Sequence, residues 1–339
     1  MQVLLGGYTS NSSKGIYAGN LNQNVEQPKI DNVQNIIKLN RPTYFQTDGN
    51  LLITIIQDDE QAGIASYKKE NNSYKQVDTY FHPGAAPCYV GIDRTNHLIF
   101  TANYHLATLS VFSYDETGKL TFITSTKHEG HGPRPEQDSA HPHFFDRTPG
   151  GHLVSCDLGT DKVDFYDFKN NKLIHLVTYQ MEKGFGTRHI VFSPDGKTMF
   201  IVGELSSQVN VAHLNENNWT FESVATYKTI PTDFTGTNGA AAIRLSNDGK
   251  FLYVSNRGDD SLVIYKVLND DHLELIQRIS TFGSFPRDFN WDKTQKFVVA
   301  VNQNTNNATL YIRNKETGTL TPIQKDILAP EATCVQFLN

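Results

Sequence analysis

Two basic residues and one carboxylate near the middle of the chain could act together on a small molecule. Arg188 and His189 open a short apolar run, and Glu204 ends the next one, after the turn Pro194-Asp195-Gly196. Strands joined by a tight turn are antiparallel, so the start of the first lies beside the end of the second. An imidazole or a carboxylate can take a proton from water, and an arginine can bind an anion or a developing oxyanion. We therefore expect these three side chains to meet, with a structural ion pair as the alternative.

A second polar cluster lies between His128 and His143, in the segment HEGHGPRPEQDSAHPH. The segment contains four histidines and Arg134, and it is too polar to lie in a core. His141 and His143 are two residues apart, so they share a face if a strand has begun there. An exposed polar loop and a metal site are both open interpretations, because an HxH pair can supply two ligands. Since no third ligand stands at metal spacing, we predict no metal.

Arginines recur at matching positions of the chain. Arg287 repeats the position of Arg188, and Arg257 stands at the position that matches Glu204. With Arg134 they would concentrate positive charge suited to an anionic small molecule, because arginine binds phosphate or carboxylate through paired hydrogen bonds. The chain has no G-x-S-x-G elbow, Walker loop or dinucleotide fingerprint. We therefore predict neither serine nucleophile chemistry nor a cofactor.

The composition argues against several classes of partner and of cellular location. The 339 residues include 36 Asp and Glu against 30 Lys and Arg, a net charge of −6 that argues against nucleic-acid binding. The three cysteines lie far apart, with no CxxC pair, which fits reduced thiols in a cytoplasmic protein. The first ten residues lack a basic leader and a long apolar run, so we expect no signal peptide and no membrane partner.

One repeated unit accounts for the whole chain. Each copy begins with a short apolar strand and continues with a fully apolar second strand, an alternating third strand and a polar-edged fourth strand. The copies are 44 to 55 residues apart, and their starts are Pro42, Pro87, Pro142, Thr187, Ala240, Pro286 and Pro330. Four strands at a period in the forties is typical of a β-propeller.

The seventh copy predicts how the repeat closes. After Pro330 only one strand remains, and the three missing strands stand at the N-terminus. We predict that Glu331 to Leu338 forms the innermost strand of that blade, beside Val3 to Gly6. A linear solenoid would need capping repeats, and none is visible. The prediction is an all-β, seven-bladed propeller of four-stranded antiparallel blades, forming a single domain over residues 1–339.

Residues that begin first strands and end second strands should meet at one rim of the propeller. The apolar positions of the repeat agree between copies, whereas these positions differ. We interpret the difference as selection by function and not by blade geometry. The rim positions include Thr43, Cys88, His143, Arg188, Ala241, Arg287 and Glu331 at strand starts, and Asn103-Tyr104, Asp157, Glu204, Asn256-Arg257 and Asn302-Gln303 at strand ends.

From end to end the chain resembles the bacterial propeller-type 6-phosphogluconolactonase family. The motifs that carry the resemblance are HGPRPEQDSAHPH with DLGTDKVDFY, ANYHLATLSVF, GTRHIVFSPDGKTMFIVGEL, SNDGKFLYVSNRGDDSL and FPRDFNWD. The resemblance implies a lactone hydrolase of carbohydrate metabolism, in the pentose phosphate pathway, that acts on an anionic lactone as a monomer or weak homo-oligomer. It implies catalytic roles for Glu204, His189, His143 and Arg188, and substrate binding by His141, Asn256, Arg257 and Arg287; we add Arg134 and Asp157 as further candidates for binding.

Two departures from the family pattern leave alternatives open. The family usually has Arg-Gln before the histidine pair, where this chain has Glu136-Gln137, and usually has His where this chain has Asp259. Each change removes positive charge and weakens the case for a phosphate. The alternatives are a related lactonase, a muconate-lactonising enzyme with another substrate, and a non-catalytic propeller that binds a partner. A binding scaffold would need an apolar contact face, and the predicted rim is polar.

Overall fold

The computed structural model describes residues 1–71 and 73–338, which are almost entirely β-strand and turn. The strands form seven antiparallel sheets of four strands, and in each sheet neighbouring strands follow one another along the chain or join its two ends. Within the described ranges the only helical segment is a 3-10 turn at Pro135–Gln137, and none is long and apolar enough to cross a membrane. The all-β prediction of seven four-stranded repeats is confirmed.

The described residues group into two compact units. The first unit comprises residues 1–43, 207–211 and 224–338, and the second comprises residues 44–206 and 212–223. We call each four-stranded sheet a blade and number the blades from the N-terminus. Blades 1, 6 and 7 belong to the first unit and blades 2, 3 and 4 to the second, while the strands of blade 5 are divided between them.

The first unit contains the blade that is built from both ends of the chain. Blade 1 consists of β1 Gln2–Gly7, β2 Gly15–Asn22, β3 Lys29–Lys38 and β28 Ala332–Leu338. Blade 6 consists of β20 Gly239–Leu245, β21 Phe251–Arg257, β22 Ser261–Val267 and β23 Leu273–Ser280. Blade 7 consists of β24 Pro286–Trp291, β25 Phe297–Asn302, β26 Asn307–Arg313 and β27 Leu320–Leu328.

The remaining blades carry the histidine-rich segment and the central turn. Blade 2 consists of β4 Phe45–Asp48, β5 Leu51–Asp58, β6 Gln61–Glu70 and β7 Ser73–Pro83. Blade 3 consists of β8 Tyr89–Asp93, β9 Leu98–Asn103, β10 Thr108–Tyr114 and β11 Leu120–Lys127. Blade 4 consists of β12 Pro142–Arg147, β13 Leu153–Asp157, β14 Lys162–Lys169 and β15 Lys172–Gln180. Blade 5 consists of β16 Thr187–Phe192, β17 Thr198–Gly203, β18 Gln208–Asn215 and β19 Thr220–Lys228.

The second strands are the most buried elements. Every residue of β17 and β25 is buried, whereas the outer strands β19 and β27 are partly exposed along their length. Apolar side chains from neighbouring strands form the core of each unit, so the blades stack through the runs that the sequence identified. Core residues include Val299, Val301, Leu310 and Val335 in the first unit, and Val154, Phe165, Ile190 and Ile201 in the second.

Blade 1 closes through its terminal strands. β28 pairs antiparallel with β1, with Val3 opposite Phe337 and Gly6 opposite Cys334. The predicted pairing of the two ends is confirmed, and the strand begins at Ala332, one residue later than expected. The closure therefore depends on a strand contributed by the last residues of the chain.

Glu331 ties the same blade together through its carboxylate. Although burial acts to raise the pKa of this carboxyl, hydrogen bonds from Ser13, Asn11 and Ser12 outweigh burial and lower the pKa. The glutamate was expected only as a variable rim residue, and its contacts are internal to the blade. The backbone N–H donors to its two oxygens, at 3.0 to 3.1 Å, come from Ser10, Asn11, Ser12 and Ser13.

β-Bulges interrupt strand pairing near the start of the first strands. In blade 5, Thr187 opposes Gly203 and His189 opposes Val202, so Arg188 is an extra residue without an opposing one. A bulge changes the direction in which a side chain points, and bulges are frequent beside active sites. The same count leaves one extra residue in four other blades: His143 in blade 4, Arg287 in blade 7, Thr333 in blade 1, and one of Ala241 and Ala242 in blade 6.

Candidate active site

The central turn brings Arg188 and Glu204 together as expected. The N–H of Glu204 donates to the carbonyl of Gly186 at 2.8 Å, which fixes the end of β17 beside the start of β16. Arg188 Nε lies 2.8 Å from Glu204 Oε2, and the two side chains are 6% and 19% exposed. A mostly buried ion pair therefore occupies the position that the sequence predicted. The pairing favours the ionised form of the carboxylate.

Two buried histidines face each other across blades 4 and 5. His143 Nδ1 lies 3.2 Å from His189 Nε2, and the ring centroids are 5.1 Å apart. Of the two facing nitrogens one must donate and the other accept, so the rings share a single hydrogen at this contact. The rings of Tyr89 and Phe144 pack against His189 at 5.5 and 5.3 Å and hold its orientation.

His141 is held between two oxygen acceptors. Its Nδ1 lies 2.9 Å from the carbonyl of Tyr104, and its Nε2 lies 2.9 Å from Asp138 Oδ1. The two contacts fix the orientation of the imidazole ring. The hydrogen bond from His141 is also the main cause that lowers the pKa of Asp138. This arrangement holds the imidazole on one side of Tyr104, whose ring also meets His143.

Tyr104 belongs to the site, although sequence reasoning gave it no role. Its ring stacks on His141 with centroids 4.1 Å apart and meets His143 edge-on at 6.1 Å. Burial raises the pKa of the phenol, and the charge of Glu204 raises it further. The available signal was its position, because Tyr104 ends a second strand at the place that matches Glu204 and Arg257. The neutral phenol can donate a hydrogen bond at this point.

Asp157 is fully buried, and other protein groups surround its carboxylate. Its oxygens accept the N–H of His141 at 2.8 Å and the backbone N–H groups of Gly159 and Thr160. The imidazole of His128 contacts it at 2.7 Å through Nδ1 and reaches the hydroxyl of Tyr166 at 2.8 Å through Nε2. Asp157 thus fastens both ends of the histidine-rich segment to blade 4.

The middle of that segment combines a buried anchor with an exposed arginine. Gln137 is fully buried, and its amide donates to the carbonyl of Leu158 at 2.8 Å and to Asp161 Oδ1 at 2.7 Å. Arg134 is exposed, and its guanidinium lies against Gly184. The segment is therefore an exposed polar loop at Arg134 and a docked segment at its ends.

The first unit holds two further arginine candidates. Arg257 is buried; its guanidinium donates to the carbonyls of Gly239 and Ala240 at 3.2 and 3.3 Å and lies over the ring of Phe285 at 5.2 Å. Arg287 is the extra residue of its bulge and is partly exposed. Bulged arginines thus occur in both units, which agrees with the matching positions seen in the sequence.

The amide at the end of several second strands has a structural explanation. Asn256 is fully buried and its amide donates to the carbonyl of Thr229 at 3.0 Å. Asn103 and Asn302 make the same type of bond, to the carbonyls of Ala85 and Thr281. The interpretation that every rim position varies for function is therefore wrong here, because a buried Asn recurs to hold the loop from the preceding blade. A binding role for Asn256 or Asp157 stays a prediction.

Within the described ranges, no group of three or more His, Cys, Asp or Glu side chains could hold a metal ion. The site in the second unit instead combines an arginine–carboxylate pair with two histidines that share a hydrogen. Such a set can bind an anion, stabilise an oxyanion and accept a proton from water. Its members are Arg188, Glu204, His143 and His189, with His141 and Tyr104 beside them.

Comparison with known proteins places the chain in a family. The family model for the seven-bladed β-propeller lactonases matches residues 2–337. The 6-phosphogluconolactonase of Bacillus subtilis is 35% identical over 342 aligned positions, which cover 99% of this chain and 97% of that protein.

Solved structures give the same result. A Lactobacillus plantarum protein is 44% identical, with a TM-score of 0.96 over 100% of this chain and 99% of the other. The periplasmic gluconolactonase of Pseudomonas aeruginosa is 26% identical, with a TM-score of 0.91 over 100% and 99% of the two chains. The predicted propeller is confirmed, and the chain belongs to the lactonase family of seven-bladed β-propellers.

Proposed function

We propose that the protein hydrolyses a sugar-acid lactone, most directly 6-phosphogluconolactone to 6-phosphogluconate. One observation carries the proposal: Arg188 of the buried Arg188–Glu204 pair is the chain neighbour of His189, which shares a hydrogen with His143. Membership of the lactonase family and the similarity to the Bacillus subtilis enzyme support the same reaction. We place the reaction at the propeller rim formed by strand starts and second-strand ends.

Opening a lactone needs an activated water and a group that stabilises negative charge. In the proposed reaction a water attacks the ring carbonyl, and Glu204 or a histidine of the pair takes its proton. Arg188 stabilises the oxyanion of the tetrahedral intermediate, because its N–H donors are fixed in place by the ion pair. Collapse of the intermediate breaks the ring C–O bond, and the ring oxygen leaves with a proton as the new hydroxyl.

The remaining basic groups serve substrate binding in this proposal. In the second unit the phosphate or the hydroxyls of the sugar would meet His141 and Arg134. In the first unit Arg257 and Arg287 remain candidates for binding. Arginine suits a phosphate because its planar guanidinium donates two parallel hydrogen bonds. Asp157 and Asn256 would contribute by fixing the loops that carry these groups, since their polar atoms are bonded to the protein.

An unphosphorylated sugar lactone is the second candidate. Asp259 replaces a basic residue of the family pattern, and its carboxylate accepts a hydrogen bond from Ser261 and lies 3.8 Å from Arg278 Nε. This carboxylate removes positive charge where a phosphate would need it. The structural similarity to a gluconolactonase favours the same alternative.

A direct comparison of two lactones tests the proposal. Purified protein would be assayed with 6-phosphogluconolactone and with gluconolactone, after subtraction of the spontaneous opening of each. We expect faster turnover of the phosphorylated lactone; preference for gluconolactone would move the assignment to the second candidate. No enhancement with either would contradict both and leave the muconate-lactonising or non-catalytic alternatives.

Further expectations remain part of the proposal. We propose that the reaction needs no cofactor or metal, that the protein works as a monomer or weak homo-oligomer, and that residues 1–339 act as one domain. A cytoplasmic location and a role in the pentose phosphate pathway would fit a phosphorylated lactone.

A further inference from the structure

A residue with left-handed backbone geometry precedes the third strand in several blades. Asp161 precedes β14, Asp260 precedes β22 and Asn306 precedes β26, with φ values of 57°, 50° and 57°. Asp and Asn tolerate this conformation better than most other non-glycine residues. The three residues therefore occupy equivalent positions in blades 4, 6 and 7.

Each of these side chains binds the backbone of the segment that leads into the next first strand. Asp161 Oδ1 accepts the N–H of Gly186 at 2.7 Å, and Gly186 stands two residues before the bulged Arg188. Asp260 Oδ1 accepts the N–H of Phe285 at 2.8 Å, two residues before the bulged Arg287.

In the third case the bound segment leads to a bulged threonine and not to an arginine. Asn306 Oδ1 accepts the N–H of Glu331 at 2.8 Å, two residues before the bulged Thr333. A carboxylate thus binds the segment before each of the two bulged arginines, and an amide oxygen binds the segment before the bulged threonine. A carboxylate makes stronger hydrogen bonds than an amide oxygen does, so the segments before the arginines are held more firmly.

Asp161 has two additional partners. Its Oδ2 accepts the N–H of Gly184 at 2.7 Å, and its Oδ1 also accepts the side-chain amide of Gln137 at 2.7 Å. Gln137 belongs to the histidine-rich segment, and it is fully buried. One buried carboxylate therefore binds the segment before His141 and the segment before Arg188.

We propose that Asp161 is a positioning residue that fixes Arg188 against Glu204. Asp260 would likewise fix the backbone segment that leads to Arg287. The proposal rests on the proposed function only for its effect on catalysis, because its effect on geometry holds for any substrate. Three donors converge on Asp161, and replacing one of its two carboxylate oxygens by an amide nitrogen leaves a donor without an acceptor. Displacing a catalytic group by about 1 Å can cost about 100-fold in rate.

The variant Asp161→Asn tests the proposal with little change in shape. Asparagine stands at the equivalent position in blade 7, so the backbone geometry accepts it. We expect kcat/KM to fall by roughly 10- to 100-fold. In an Arg188→Ala background the same substitution should cost less than about 3-fold, because the residue being positioned is gone.

Asp292→Asn is the matched control. Asp292 is also fully buried and accepts backbone N–H groups of Thr294, Lys296 and Phe297 at 2.8 to 3.0 Å, in the turn between β24 and β25. It should lower the melting temperature, and its effect on kcat/KM should be the same in both backgrounds. A structural role for Asp161 would give that same pattern and would overturn the proposal.

A crystallographic readout separates this inference from the proposed function. In Asp161→Asn the Arg188 Nε to Glu204 Oε2 distance should lengthen from 2.8 Å to beyond ion-pair range, whether or not the protein opens lactones. An unchanged distance would overturn the proposal even if the lactonase assay succeeds. A lengthened distance in a protein without lactonase activity would support the positioning and contradict the function.

Discussion

Replacing Glu204 by Gln removes the negative charge of the ion pair while keeping the size of the side chain. If Glu204 is the base, turnover should fall by roughly 100-fold or more while KM changes little. Arg188→Ala should instead lower kcat/KM by roughly 100- to 1000-fold, mainly through KM if the arginine binds the substrate. Lys at position 188 should recover only part of this loss, because it lacks the planar pair of donors.

The structure also sets the expected loss of stability. Removing one partner of a buried ion pair costs about 3–5 kcal/mol, and the 19% exposure of Glu204 reduces this to about 1–3 kcal/mol. For a chain of 339 residues, 1 kcal/mol lowers Tm by about 1.4 °C. We therefore expect shifts of about 1–4 °C, too small to unfold the protein at assay temperature.

The assay records Tm, kcat and KM for Glu204→Gln, Arg188→Ala and Arg188→Lys beside the wild type. Folded variants that have lost turnover would support the site. Variants that melt earlier yet keep the activity of the folded fraction would refute the reasoning, because the pair would then serve stability alone.

Three other predictions concern closure, acid stability and metals. Deleting the last ten residues removes β28, leaves the edge of β1 unpaired and should lower Tm; unchanged thermal stability would contradict the closure. Because the pKa of Glu331 is lowered, its contribution to stability is present above its ordinary value of 4.5 and is lost as the pH falls through the lowered value. Glu331→Gln should therefore lower Tm at pH 7 and flatten its acid dependence, and a variant that melts like the wild type at every pH would disprove the role. Activity should survive exhaustive dialysis against chelator, and recovery on adding zinc or calcium after a loss would instead make His141 and His143 ligands.

The repeat made most of the fold predictable. Apolar second strands such as Thr198–Gly203 recur with turns at regular intervals, and the incomplete copy after Pro330 indicated how the two ends pair. The pairing of Arg188 with Glu204 followed from the antiparallel turn alone. These features depend on local patterns that a single chain displays directly.

Other parts of the site could not be predicted, because they depend on backbone geometry. A bulge adds a residue without altering the apolar pattern, so nothing in the sequence marked His143 or Arg287 as bulged. Asn306 occupies the position in blade 7 that Asp161 occupies in blade 4. The recurrence makes Asp161 look like an ordinary turn residue, so the sequence did not indicate its positioning role. Asn256 looked selected for binding, although buried loop contacts account for its amide.

The most direct test of the account is the catalysed opening of 6-phosphogluconolactone, followed by acid release at constant pH and corrected for the spontaneous reaction. The wild-type protein should accelerate opening well beyond the blank, and if Glu204 is the base, Glu204→Gln with an unchanged fold should lose roughly 100-fold or more of that acceleration. No acceleration by the wild type would contradict the proposed function, and equal rates for the two proteins would exclude Glu204 as the base.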